Sequence, residues 1–185
     1  MKKISLVGVA FALLCALSYS VNPVLGKLAY ANGLSTVTIL QGRFLFAIIG
    51  ILLVFPFIDR TIFRPSLSEI KASLIIGLLI LVPMNLLYVF SLKGIPASLM
   101  SLITYLYPLA VLIMSRFLLG KRIRKNQALS IGLIVCGGFC VFSDALMVHI
   151  ETTTLIIAVI AMLFYALYMV AFEGLGNGGN PLHMT

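Results

Sequence analysis

Between Pro96 and Lys125 the sequence reads PASLMSLITYLYPLAVLIMSRFLLGKRIRK, an apolar run long enough to cross a bilayer that ends on a basic cluster. Pro96 fits a first helical turn, where its missing N–H costs nothing, and Gly120 precedes Lys121, Arg122, Arg124 and Lys125. A segment of this kind has few options: in hydrocarbon every backbone group must be satisfied internally, so it spans as a helix. Ala97, Ser101, Thr104, Pro108, Leu112 and Ser115 recur at three- and four-residue steps, giving one narrow, mildly polar face suited to close helix packing or to a cavity wall.

The rest of the chain repeats the pattern. Hydrophobic residues make up 62% of the 185 and charged residues 10%, where soluble domains carry about a quarter charged, so the chain is an integral membrane protein. Six apolar segments are legible, at about Ile4–Gly26, Leu34–Ile58, Ala72–Leu92, the span after Pro96, Asn126–Ser143 and Thr153–Phe172. The first resembles a signal peptide in its Lys2-Lys3 start, yet its apolar character continues through Val24 and Leu25, which favours an uncleaved helix interrupted near its outer end by Asn22-Pro23. Asp59, Arg60, Arg64, Glu69 and Lys71 read as a loop, and Lys93-Gly94-Ile95 as a tight turn. The expected fold class is all-α, a polytopic transmembrane helix bundle.

Charge sets the orientation. With the N-terminus cytoplasmic, Lys2, Lys3, Arg60, Arg64, Lys71 and the cluster at Lys121 all lie inside, and only Lys27 and Lys93 outside. The net charge of +8 is thus explained by topology, and because the basic residues sit in short clusters between spans, no nucleic-acid partner is expected. Cys15, Cys136 and Cys140 fall inside apolar runs without metal-ligand spacing and read as small buried packing residues. His149 and His183 lack ligating neighbours. No metal, no cofactor and no enzyme activity are expected, since no nucleophile motif or phosphate loop is present.

Polar residues inside the spans carry the functional expectation. At 1.5 Å per residue, Arg43 lies about 13 Å below the outer end of its helix, Asn85 about 12 Å below Lys93 and Tyr105 about 13 Å below Pro96. Thr104 and Tyr88 neighbour that layer and Asn22 lies a little above it. Arg43 facing lipid there would cost roughly 2.5 to 3.5 kcal/mol, so it is expected to face the bundle or a wet cavity. Its fork matches a carboxylate or phosphate. The alternatives are that it caps carbonyls freed by proline or snorkels outward. Pro23, Pro83 and Pro108 release the carbonyls of Tyr19, Leu79 and Thr104, which either shapes a cavity or merely bends the helices. Arg43, Asn85, Tyr88, Thr104, Tyr105 and Asn22 form the candidate substrate-binding set. Glu173 reads as an end-of-helix residue, with a coupling proton as its functional alternative.

Residues 12–21 (ALLCALSYSV) and 161–170 (AMLFYALYMV) share Ala, Leu, Tyr and Val at matching positions, pairing Tyr19 with Tyr168. If this is a repeat, its unit holds five spans, and a second copy would enter the membrane from the opposite side. The stretch ASLMSLITYLYPLAVLIMSRFLLGKRIRKNQALSIGLIVCGGFCV, with Arg43 early in the second segment and the Tyr105-Leu106-Tyr107-Pro108 core, resembles the fourth and fifth helices of an EamA-type repeat of the drug/metabolite transporter superfamily. Lys121 stands where that family usually carries an acidic residue, and six spans stand where it usually has ten. The resemblance implies one five-helix repeat over residues 4–143 and the start of an inverted second over 153–185. It further implies a multi-pass carrier in the cell membrane for a small organic metabolite or amino-acid-like solute, working by alternating access, with efflux as the expected direction. The alternative is an incomplete half-carrier or subunit that needs a partner repeat. Besides the lipid bilayer and a small-molecule solute, the expected partners are a second copy or second repeat packed on the first and fifth helices. There the small-residue edges Gly8, Ala12, Ala16, Ser20 and Ala128, Gly132, Cys136, Cys140 lie four residues apart.

Overall fold

The computed structural model describes residues 6–58, 66–120, 125–142 and 151–176, and among them every regular element is helical. The Lys2-Lys3 start, Arg60, Arg64, Lys121, Arg122, Arg124, His149 and His183 lie outside the described residues. Helices α1 (Leu6–Ser20) and α2 (Asn22–Ala31) form the first span, and α3 (Thr36–Ile58) is the second. The third is built from α4 (Leu67–Ile76), a π-helical turn at Gly77–Leu81 and α5 (Val82–Ser91). Helices α6 (Ala97–Tyr105) and α7 (Tyr107–Leu118) make the fourth, followed by α8 (Lys125–Phe142) and α9 (Thr152–Gly176). Five spans among the described residues are long and apolar enough to cross a membrane; α8 is an 18-residue helix beside them.

Two prolines break their spans where a missing N–H predicts, while Pro56 sits inside the continuous α3. Val21 separates α1 from α2 ahead of Pro23, and Leu106 separates α6 from α7 ahead of Pro108. Before Pro83 the helix widens into the π turn instead, and Asn85 Nδ2 donates to the Leu81 carbonyl at the end of that turn, at 2.9 Å.

Two span boundaries differ from expectation. The first span runs to Ala31 rather than Gly26, because Lys27 is an amphipathic residue whose ammonium reaches outward to the Lys93 carbonyl at 3.4 Å while the helix continues. The third begins at Leu67 rather than Ala72. Ser66 caps it, its hydroxyl accepting from the Glu69 N–H at 3.3 Å while Glu69 Oε2 accepts from the Ser66 N–H at 2.7 Å. Glu69 and Lys71 therefore belong to a helix and not to a loop.

The tightest packing surrounds the Lys93-Gly94-Ile95 turn between the third and fourth spans. Leu92, Ile95, Leu99, Met100 and Ile103 are buried there together with Ala158, Met162 and Ala166 of α9. Helix α9 lies chiefly on α5 and α7. Its small residues Ala158, Ala161 and Ala166 make that approach possible, since in lipid close backbone contact is what drives helices together. Tyr30 fastens the first span to this frame, donating to the Val89 carbonyl at 2.9 Å and sharing a 2.8 Å hydrogen bond with Thr36 Oγ1.

The cysteines correct an expectation: Cys15, Cys136 and Cys140 are exposed on the chain rather than buried within it. A membrane helix presents apolar side chains outward as readily as inward, so an apolar run does not tell a thiol's direction. Helix α8 instead meets α6 on another face, where Gly138 faces Leu102 Cδ1.

Candidate functional site

Four spans carry the expected polar residues to one place. Asn22 arrives from the start of α2, Arg43 from α3, Asn85 and Tyr88 from α5, and Thr104 from the end of α6. Counted along their helices, Asn22, Arg43, Asn85 and Thr104 lie about 9 to 14 Å from the helix ends on the side of the Gly94 turn, so Asn22 belongs to the layer rather than above it. All five border one small space of about 30 Å³, room for about two water-sized groups. Tyr105 does not border it. It lines an adjoining cavity of about 290 Å³ with Tyr107, Ser101 and the first-span residues Cys15, Ala16 and Ser20.

Sequence reasoning missed three contributors. Tyr165, Ala161 and Met162 of α9 close the small space, and Tyr165 also borders the larger one. Tyr19, singled out only as the repeat partner of Tyr168, borders both spaces, whereas Tyr168 packs its ring near Phe172 with centroids 6.1 Å apart. The signal for α9 was present as the three- and four-residue steps from Ala158 through Ala161 and Met162 to Tyr165, which put these residues on one helical face.

Chemically the site is spare. Asn85 is 8% exposed and commits one amide hydrogen to its own helix. The hydroxyls of Thr104 and Ser101 donate to the Met100 and Ala97 carbonyls at 2.8 and 2.9 Å, so toward the cavities they offer lone pairs. Arg43 is half-buried and close enough to Tyr88 to act on it electrostatically, and among the described residues its guanidinium has no hydrogen-bond or ion-pair partner. Larger grooves of about 530 and 550 Å³ run along α3 beside α5 and α4, but they are open and lined by residues such as Phe44, Ile48 and Val82, with Gln41 and Ser73 as their polar members. Lipid chains suit such surfaces. No cluster of metal-ligating side chains occurs among the described residues.

A bundle of membrane-crossing helices enclosing a polar, arginine-bearing interior is the architecture of a multi-pass membrane carrier. The model of the EamA-like transporter family matches residues 6–143, and the chain belongs to that family of membrane transporters. No curated protein and no solved structure matches the chain.

Proposed function

We propose that the chain is a secondary carrier that exports a small organic anion across the cell membrane, by alternating access around the space that Arg43 shares with Asn22, Asn85, Tyr88 and Thr104. The observation that carries this reading is the guanidinium itself, half-buried in the bundle and, among the described residues, without a partner. A cation held there gains most from an anion that comes and goes, and its planar fork matches a carboxylate or phosphate. Export follows from the membrane potential, because expelling one negative charge from an inside-negative cell is favoured by about 2.3 kcal/mol per 100 mV. The positive-inside bias of Lys121, Arg122 and their neighbours supports a cytoplasmic N-terminus. Residues 4–143 would then be one repeat and 153–185 the beginning of an inverted second. The test is transport of a panel of organic anions by vesicles containing the chain. Arg43→Lys, which keeps charge but loses the fork, should transport poorly and Arg43→Gln not at all, with insertion unchanged; normal transport by both variants overturns the proposal.

One observation favours a partner as well. A β-carbon added at Gly132 meets nothing within 4 Å, and Cys136 and Cys140 on the same edge are exposed, as are Ala16 and Ser20 on the first span. We propose that a second repeat or another copy packs on the first span and α8 and completes the cavity wall. Cross-linking through Cys136 in membranes tests this, and its failure at every linker length rejects it.

A further inference from the structure

The two adjoining spaces differ in size and chemistry, and that difference describes a ligand. The smaller holds the charge: Arg43 is the only ionised side chain among the described residues bordering either space. The larger holds the rings. Of the chain's seven tyrosines, five border it, namely Tyr19, Tyr88, Tyr105, Tyr107 and Tyr165. Tyr107 and Tyr165 meet edge to face, with centroids 4.7 Å apart and planes at 78°, so the wall there is a set ring arrangement able to flank a flat apolar body. Tyr19, Tyr88, Thr104 and Tyr165 border both spaces and form the neck between them.

We infer that the site takes an amphiphilic monoanion, its carboxylate entering the Arg43 space and its flat apolar body resting among the tyrosines beyond the neck, and that it discriminates against a free ammonium group beside the carboxylate. This rests on reading Arg43 as the substrate-facing cation. The small space, at about 30 Å³ for the centres of water-sized groups, takes about two of them, the size of a carboxylate, and not a ring. The larger one, at about 290 Å³, lies near the lower end of the range for small-molecule pockets. The reverse placement would leave Arg43 without its anion, because Arg43 borders only the smaller space, while in the larger one Ser101 and Thr104 spend their hydroxyl protons on helix carbonyls and only neutral phenols could donate. A ligand with one negative charge neutralises Arg43. An ammonium on the carbon next to the carboxylate would be desolvated beside the same guanidinium, with no carboxylate of the described lining to offset it.

The test is ligand-observed saturation-transfer NMR on the chain in lipid nanodiscs, titrating phenylacetate, phenylacetamide, acetate and phenylalanine. Phenylacetate should bind about tenfold or more tighter than each of the other three, the scale of one charge-assisted hydrogen-bond pair or one ring contact. Arg43→Gln should erase the preference for phenylacetate over its amide. Tyr165→Leu and, on the more exposed side, Tyr105→Leu should each weaken the preference for phenylacetate over acetate while keeping the preference over the amide; Tyr165→Phe should retain both. If Arg43→Gln leaves the acid-over-amide preference intact, the anion reading itself fails. If that preference depends on Arg43 but phenylacetate binds no better than acetate, or neither leucine variant changes their ratio, the two-compartment inference fails and the anion reading stands. Phenylalanine binding as tightly as phenylacetate overturns the ammonium discrimination, and binding of none of the four overturns both readings.

Discussion

The seat of α9 can be tested at a single contact, between Gly94 and Thr154. A β-carbon at Gly94 would lie 2.9 Å from Thr154 Cγ2, 2.9 Å from Thr154 Oγ1 and 3.3 Å from Thr154 Cβ. Thr154 is 8% exposed and has little room to swing aside. Positive φ among the described glycines is confined to Gly33 and Gly120, so Gly94→Ala meets no backbone strain. Two effects then compete. Removing glycine restricts the unfolded chain and stabilises by about 0.4 to 1 kcal/mol. Overpacking against an immobile neighbour costs about 1 to 3 kcal/mol, so the net expectation is destabilisation, centred on about 1 kcal/mol and reaching about 2.5. Thr154→Ala removes Cγ2 and Oγ1 and leaves only the 3.3 Å contact, so in that background Gly94→Ala should turn neutral or stabilising. The double-mutant cycle should show coupling of at least about 1 kcal/mol. Unfolding of the four proteins in mixed micelles of increasing SDS fraction measures it. A Gly94→Ala effect of the same size in both backgrounds would refute the docking of α9 on the turn between the third and fourth spans, and with it the placing of Tyr165 beside Arg43.

Other consequences are simpler to read. Tyr30→Phe should destabilise the chain by about 1 kcal/mol in the same assay, since it removes the phenol's bonds to the Thr36 hydroxyl and to the Val89 carbonyl, which keeps only its bond from the Leu92 N–H. Ser66→Ala removes the capping box of α4 and should cost about 0.5 to 2 kcal/mol, with Ser66→Asp close to neutral. Gly132→Leu should leave the chain's own stability unchanged, because nothing stands within 4 Å, while lowering any Cys136 cross-linking. Single cysteines at positions 64 and 122, in a background without the native thiols, should react with impermeant reagents only after the cytoplasmic face is opened; labelling from outside intact cells reverses the topology.

What was legible in the sequence follows from where polarity is expensive. Arg43, Asn85, Tyr88 and Thr104 could be assigned to one place because a polar side chain deep in hydrocarbon has nowhere to go but inward, and helical rise gives its depth. Proline breaks at Pro23 and Pro108 were legible because a missing N–H acts locally; the answer at Pro83 was a π turn rather than a gap. Direction on an apolar surface was not legible. Cys136 and Cys140 face out and Gly138 faces Leu102, yet all three are small residues on one helix, and lipid and protein interior reward them alike. Tyr105 shows the same limit: correct depth placed it with Arg43, but its angle around α6 sends it to the neighbouring cavity. The α4 start is a different kind of miss, since Ser66-Leu67-Ser68-Glu69 carries the capping-box spacing openly and was hidden only by reading charge as loop.

Stiffness is distributed unevenly around the site, and the distribution fits the proposed carrier. The frame around the Gly94 turn is closely packed: Leu92, Ile95 and Met100 are at most 1% exposed and Ala158 and Ala166 are fully buried, so the third and fourth spans and α9 move together there. The ladder interruptions lie deeper, at Val21, Gly77–Leu81 and Leu106, and each adjoins residues of the site: Tyr19 and Asn22 at the first, Asn85 at the second, Thr104, Tyr105 and Tyr107 at the third. A helix bends most readily where its ladder is already interrupted. Small changes of angle at these places would therefore move the neck residues Tyr19, Tyr88 and Thr104 against Tyr165 without disturbing that frame. The space beside Arg43, at about 30 Å³, is closed to any metabolite larger than the group it binds. Passage of a whole molecule requires the neck to widen, and the interrupted helices put the compliance where that widening must happen.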